Sequence, residues 1–280
     1  MTRRGVDAAR QEIAGPGESA ARVTLAWAAV TDVGHRRQVN EDSVIVEPPV
    51  FAVADGMGGH TAGDKASAAA VERLAELADA DGSGSIDERR LDEALTRAAR
   101  DIDDIAEHLP LGAGTTVTGA VLSFEPEPCF LVFNVGDSRV YSLVGNEFAQ
   151  VTHDHSVVQE LVDEGLLAAD DAENHPESNV VTRALGFREV PHVDYWRLPL
   201  RPGMRLLLCS DGLTKELRSD RLRMHLAARL SAHETAGALV DAALAAGGRD
   251  NVTVVVVDVL EAVGSVERSA YNEGSAGTRG

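Results

Sequence analysis

The apolar residues of this chain fall into strand-length runs that come in groups, and only two long helical patterns interrupt them. Val23–Val30, Val50–Ala54, Thr115–Phe124, Phe130–Val135, Arg139–Val144, Arg205–Cys209 and Val252–Leu260 have the length and apolar character of strands. Val44–Val46 adds a short one, and Gly136-Asp137-Ser138 reads as a tight hairpin turn. Helices are expected over Ala62–Ala78 and Ile86–His108; in the second, apolar residues at 91, 94, 95, 98, 102 and 105 form one stripe. Shorter helices are expected within 155–165 and 219–246. Runs of strands broken by paired helices, without regular βαβ alternation, predict an α+β sandwich of antiparallel sheets.

One continuous domain, residues 22–262, is expected to hold all of these elements. Residues 1–21 lack a sustained period and contain Gly15-Pro16-Gly17, which reads as a flexible extension. Residues 263–280 are rich in Gly, Ser and Glu and read as a disordered tail. The chain has 26 Lys and Arg against 45 Asp and Glu, a formal charge of −19. That balance argues against nucleic acid and against an anionic membrane surface as partners. No apolar run is long enough to span a bilayer, and no apolar stretch follows the basic N-terminus as a secretory signal would require. Cys129 and Cys209 sit in apolar runs and read as small buried hydrophobes. A cytoplasmic monomer is the expectation.

Several carboxylates stand where strands end. Asp55 closes Phe51-Ala52-Val53-Ala54 and precedes Gly56; Asp211 closes Leu206-Leu207-Leu208-Cys209-Ser210 and precedes Gly212. Asp250 precedes the strand from Val252, and Asp42 precedes Val44–Val46. A single Asp-Gly is usually a turn. Four strand-end carboxylates in one domain would repel one another unless cations sat among them, and all-oxygen donors suit Mg²⁺ or Mn²⁺.

These segments resemble the metal-dependent type-2C (PPM) Ser/Thr protein phosphatases, bacterial type. The matching motifs are Thr31-Asp32-Val33-Gly34 through Arg37 to Asn40-Glu41-Asp42-Ser43, and Ala54-Asp55-Gly56-Met57-Gly58-Gly59-His60. Gly114-Thr115-Thr116, Asn134-Val135-Gly136-Asp137-Ser138-Arg139, Cys209-Ser210-Asp211-Gly212-Leu213 and Gly247-Gly248-Arg249-Asp250-Asn251-Val252-Thr253 follow in the family's order. The resemblance implies a four-layer α-β-β-α sandwich: two central, mainly antiparallel sheets flanked by helix pairs. It implies hydrolysis of phosphoserine and phosphothreonine in proteins, by direct attack of a water or hydroxide bridging two Mn²⁺ or Mg²⁺ ions. Asp55 would bridge the ions, the Gly56 carbonyl would bind one, and Asp211 and Asp250 would complete the carboxylates on the other. Glu41 and Asp42 would bind metal-coordinated waters on the Gly56 side. Asp137 resembles the ligand of a third, weaker ion. Arg37, favoured over Arg36 by its spacing from Asn40-Glu41-Asp42, would clamp the phosphate.

Other readings fit less well. A cysteine phosphatase needs Arg six residues after its Cys; Cys209 has Lys215 there, with Asp211 opposing a thiolate. Neither Gly-x-Gly-x-x-Gly nor Gly-Lys-Ser/Thr occurs in residues 56–63, so no nucleotide loop is expected there. His60 is either a general acid or a helix-start residue. His153 and His155 are expected in capping or surface roles, and Thr115 and Thr116 as simple strand residues. Residues 154–190 match the family's flap beside the site, and Ser178 within it is a weaker candidate for the third ion. Residues 79–107 carry ten acids and four bases, and residues 154–194 ten and two. These stretches give −6 and −8, which is −14 of the −19, without any proposed metal ligand. An acidic flap would favour phosphosites flanked by Lys or Arg. Phosphorylated proteins, Ser/Thr kinases and their substrates among them, are the expected partners.

Overall fold

The computed structural model describes residues 1–5, 7–15, 21–58, 62–79, 86–110 and 112–263. In chain order the strands and helices are β1 (Arg3–Gly5), β2 (Ala8–Ala14), β3 (Arg22–Asp32), β4 (Asp42–Glu47), β5 (Val50–Gly58), α1 (Gly63–Asp79) and α2 (Glu88–Ile105). Then come β6 (Ala113–Thr115), β7 (Val117–Ser123), β8 (Cys129–Val135), β9 (Arg139–Val144), β10 (Glu147–Gln150) and α3 (Val157–Asp163). The remainder are β11 (Leu185–Gly186), β12 (Asp194–Pro199), β13 (Arg205–Cys209), α4 (Asp211–Thr214), α5 (Ser219–Ala227), α6 (Ala232–Ala246) and β14 (Val252–Val263).

Two sheets form the centre, one ordered β1-β4-β5-β7-β8-β12 and the other β10-β9-β13-β14-β3-β2. The short β6 and β11 extend the first sheet from the end of β5. All pairings are antiparallel except β1 on β4. The fold is the expected α+β, four-layer α-β-β-α sandwich. Its layers are visible in side-chain alternation, because successive strand residues point to opposite faces. Along β5, Phe51 and Val53 face the second sheet while Val50, Ala52 and Ala54 face α1 and α2. Along β14, Val255, Val257 and Val259 face the first sheet and Val252, Val254 and Val256 pack with α4–α6. Trp27 and Phe51 meet edge-on between the sheets, ring centroids 5.6 Å apart. Strands buried on both faces read as continuous apolar runs.

The expected flexible extension over residues 1–21 is corrected. Residues 3–5 and 8–14 are strands, β1 on the outer edge of β4 and β2 on the outer edge of β3. They bury few side chains and join through backbone hydrogen bonds, which leave no hydrophobic pattern to read. The domain therefore reaches back into the first residues of the chain. Residues 16–20 and 264–280 lie outside the described residues, so the expected tail beyond Val263 does too. Cys129 and Cys209 are buried and free. Among the described residues, no helix is long and apolar enough to cross a membrane.

Candidate metal and phosphate site

At one end of the sandwich, carboxylates at or beside the ends of β4, β5, β13 and β14 gather around a common hollow. Asp42 and Asp55 are register partners across β4 and β5. Asp211 begins α4 immediately after β13, and Asp250 lies just before β14. A cleft of about 990 Å³ is lined by Arg37, Glu41, Asp55, Gly56, Asp137, Asp211 and Asp250 among others. Residues 178–184 and Phe187 of the predicted flap line its other side. Gly56 is fixed by space: a Cβ there would lie 2.0 Å from the carbonyl oxygen of Gly63 and 2.7 Å from that of Glu41.

The side chains behind the hollow explain how its backbone is held. Thr116 Oγ1 accepts from the Asp55 amide at 3.2 Å, and Thr115 Oγ1 donates to the Asp55 carbonyl at 2.8 Å. Thr116 Oγ1 also meets Ser138 Oγ at 2.9 Å, tying the end of β5 to the Asp137 turn. Thr115 and Thr116 thus do more than fill a strand. Asp42 is fully buried and does not line the cleft. Its Oδ2 accepts from Ser210 Oγ at 2.9 Å and Thr253 Oγ1 at 2.5 Å, so it joins the first sheet to the second beneath Asp55.

The electrostatics are those of a site short of positive charge. Burial, reinforced by Asp211, pushes both Asp42 and Asp137 up to about 7. Burial also lifts Asp55 well above the usual carboxylate range, with Asp42, Asp211, Asp137 and Asp250 adding repulsion. Burial raises Glu41 as well, although Arg37 and the Gly63 amide oppose it. Arg37 and Lys215 touch the cluster. Arg37 grips Asp250 by Nε to Oδ1 at 2.7 Å and Nη2 to Oδ2 at 2.9 Å. Lys215 pairs with Asp211 and reaches Asp250 at 3.8 Å. Burial works against the Lys215 ammonium, but Asp211, Asp250 and Asp137 outweigh it and raise its pKa.

The donor set fits hard divalent cations: it is all oxygen, it is mutually repulsive, and two buried oxygens, Asp42 Oδ1 and Asp211 Oδ1, have no hydrogen-bond partner among the described residues. Among the described residues, no three Asp, Glu, His or Cys groups converge on one point; Asp250 and Asp211 are paired with Arg37 and Lys215. Asp55, Gly56, Glu41, Asp137, Asp211, Asp250 and Arg37 are therefore brought together as the sequence suggested, while Asp42 stands behind them. His60 lies outside the described residues.

Two features escaped the sequence reading. Lys215 sits four residues after Asp211, a helical spacing that could have signalled the pair. His155 is buried rather than at the surface: Nδ1 accepts from the Gly136 amide at 3.1 Å, so Nε2 carries the proton and donates to Asp194 at 3.2 Å. Burial lowers its pKa. The helix cap is instead its neighbour Ser156, whose Oγ accepts from the Gln159 amide. His153 is exposed and paired with Asp163. The flap returns onto this segment, with the Val157 amide donating to Val180 and the Thr182 amide to His155.

A profile of the protein phosphatase 2C family matches residues 34–246. The chain is 42% identical over 245 residues to the serine/threonine protein phosphatase PstP of Mycobacterium tuberculosis, covering 86% of this chain and 46% of that protein. It thus spans about half the length of that relative. The serine/threonine phosphatase stp of Listeria welshimeri is 36% identical over 242 residues, 81% of this chain and 93% of that one. A crystal structure of PstP superposes with a TM-score of 0.77 at 38% identity, covering 85% of this chain and 99% of the other. Another, of the PstP catalytic domain in complex with two manganese ions, gives 0.76 at 38% identity over the same shares. The chain belongs to the protein phosphatase 2C family.

Proposed function

We propose that this chain is a Mn²⁺- or Mg²⁺-dependent protein phosphatase acting on phosphoserine and phosphothreonine, and that it opposes a Ser/Thr kinase. The observation that carries the reading is the convergence of Asp55, Asp211, Asp250 and Asp137 with Arg37 on one cleft. Asp55, the Gly56 carbonyl, Asp211 and Asp250 would hold two core ions, with Glu41 and Asp42 behind them and Asp137 toward a third. Such ions supply Lewis acidity toward phosphoryl oxygens and toward water.

The chain's own groups do the positioning. The guanidinium fork of Arg37 matches two phosphate oxygens as well as it matches the two oxygens of Asp250. Its side chain is half exposed, free to exchange one partner for the other. Thr115 and Thr116 fix the Asp55 backbone, and Asp42, through Ser210 and Thr253, fixes the ends of β13 and β14. Residues 178–184 and Phe187 form the wall that flanking residues of a phosphoprotein would meet. Phosphate release from p-nitrophenyl phosphate and from phosphothreonine peptides should require added Mn²⁺ or Mg²⁺ and stop with EDTA. Turnover that persists in EDTA would refute the reading, and so would saturating metal without turnover on any phosphopeptide.

A further inference from the structure

The N-terminal arm is connected to this site by an unbroken line of hydrogen bonds. The Thr2 amide donates to Ser43 Oγ at 2.9 Å, and the Thr2 carbonyl accepts from the Val44 amide at 2.9 Å. Ser43 Oγ meets Ser67 Oγ at 2.9 Å, and Ser67 Oγ donates to the Glu41 carbonyl at 2.5 Å. The same carbonyl accepts from the Gly56 amide at 3.2 Å. A hydroxyl has one hydrogen to give. Ser67 turns its hydrogen to backbone carbonyls, Glu41 at 2.5 Å and more distantly Asp64 at 3.2 Å, so Ser43 donates to Ser67 and accepts from Thr2. The direction of the whole line is therefore fixed, from the arm to the carbonyl that braces Glu41 against Gly56. Both hydroxyls are buried, Ser43 at 1% and Ser67 at 0% exposure, where an unmade hydrogen bond is costly.

We infer that the arm is a positioning element of the site: β1, through Thr2, Ser43 and Ser67, sets the backbone from which Glu41 and Gly56 face the cleft. The arm lies outside the matched family profile, which begins at residue 34. Its route is sterically specified. Gly5 has φ of +87°, and a Cβ there would lie 2.3 Å from the carbonyl oxygen of Val46. Arg4 reaches over to Glu72 of α1 at 3.7 Å, and the Asp7 carbonyl accepts from the Ala29 amide at 2.7 Å. The arm thus grips the margins of both sheets and the helix that carries Ser67. The consequence for metal affinity rests on the function proposed above; the consequence for the backbone does not.

The test uses the full chain with three substitutions. Gly5→Val displaces β1 without touching the site, Ser43→Ala cuts the line in its middle, and Ile13→Ala removes core packing from β2 away from the line. Hydrogen–deuterium exchange is followed in the metal-free protein over residues 53–58, which the arm does not pair with. Exchange there should quicken about tenfold in Gly5→Val and Ser43→Ala. It should stay unchanged in Ile13→Ala, although that variant melts lower. Calorimetric titration with Mn²⁺ should show affinity weakened roughly tenfold in the first two variants only. Unchanged exchange over 53–58 in Gly5→Val and Ser43→Ala would overturn the inference. Equal acceleration in Ile13→Ala would overturn it too, since loss of stability would then suffice. A wild-type chain that binds no Mn²⁺ would instead remove the proposed function, and the exchange result would still decide the arm's role.

Discussion

The inner strands and the marginal strands of this sandwich do different work. β7, β8 and β13 are buried at every residue and β5 over Val50–Ala54, and the carboxylates of the hollow stand at or beside the ends of inner strands. β1 and β12 border one sheet, β10 and β2 the other, and none of the four has a fully buried residue. Two-sided burial is what lets a strand hold a charged group against its neighbours' repulsion, because the packed strand cannot yield. The margins and the flap carry no core carboxylate; they brace or screen the groups that the interior fixes.

On that division, substitutions at inner strand ends should cost most. Asp55→Asn and Asp211→Asn should each lower kcat/KM by about 10³-fold or more in steady-state assays at saturating Mn²⁺, with the circular dichroism spectrum retained. Activity near wild type in either would break the division at its strongest point. Arg37 comes from a loop rather than a strand, and a lysine there keeps charge but loses the fork. Arg37→Lys should reduce kcat/KM roughly 10- to 100-fold, as expected for one charge-assisted bidentate contact.

The pH dependence of stability probes the buried carboxylates, with His155, its pKa lowered, working in the opposite direction below about pH 6.5. Asp42 and Asp137 have folded-state values raised to about 7, above those of an unfolded chain. Their contribution is fully present below the ordinary carboxylate pKa and is lost as pH rises through 7. In EDTA the melting temperature should therefore fall by several degrees between pH 5.5 and pH 8, and Mn²⁺ should abolish the fall. A melting temperature that rises over the same interval would contradict this repulsion. The smallest effect belongs to the flap. Its exposed acids, among them Glu160, Asp163, Glu164 and Glu177, should favour phosphopeptides flanked by Lys over those flanked by Glu by a few-fold at low salt, the preference fading at high salt. Equal kcat/KM for the two at low salt would leave the flap's charge without a role in selection.

The same division governs what could be read from the sequence. β3, β5, β8, β9, β13 and β14 announced themselves because residues on both faces are apolar, as in Phe130–Val135 and Val252–Val257. The four marginal strands did not. Ala8–Ala14 and Glu147–Gln150 are held by pairing along an edge, and Arg10, Gln11 and Glu12 give no sign of a strand. At the site, Asp-Gly at a strand end was legible because it is local: the carboxylate, the glycine and the preceding apolar run are contiguous. Thr116 with Ser138, His155 with Asp194, and Thr2 with Ser43 were not, since each joins segments 22 to 41 residues apart.

The central claim, that carboxylates at the ends of inner strands form a two-ion phosphatase centre, is tested most directly by anomalous scattering at the manganese edge. In crystals of this chain grown with Mn²⁺, two strong peaks should lie between Asp55, Asp211 and Asp250, and Asp55→Asn should lose at least one of them. Peaks absent from that cleft, or present only at the acidic surface of the flap and α2, would contradict the account.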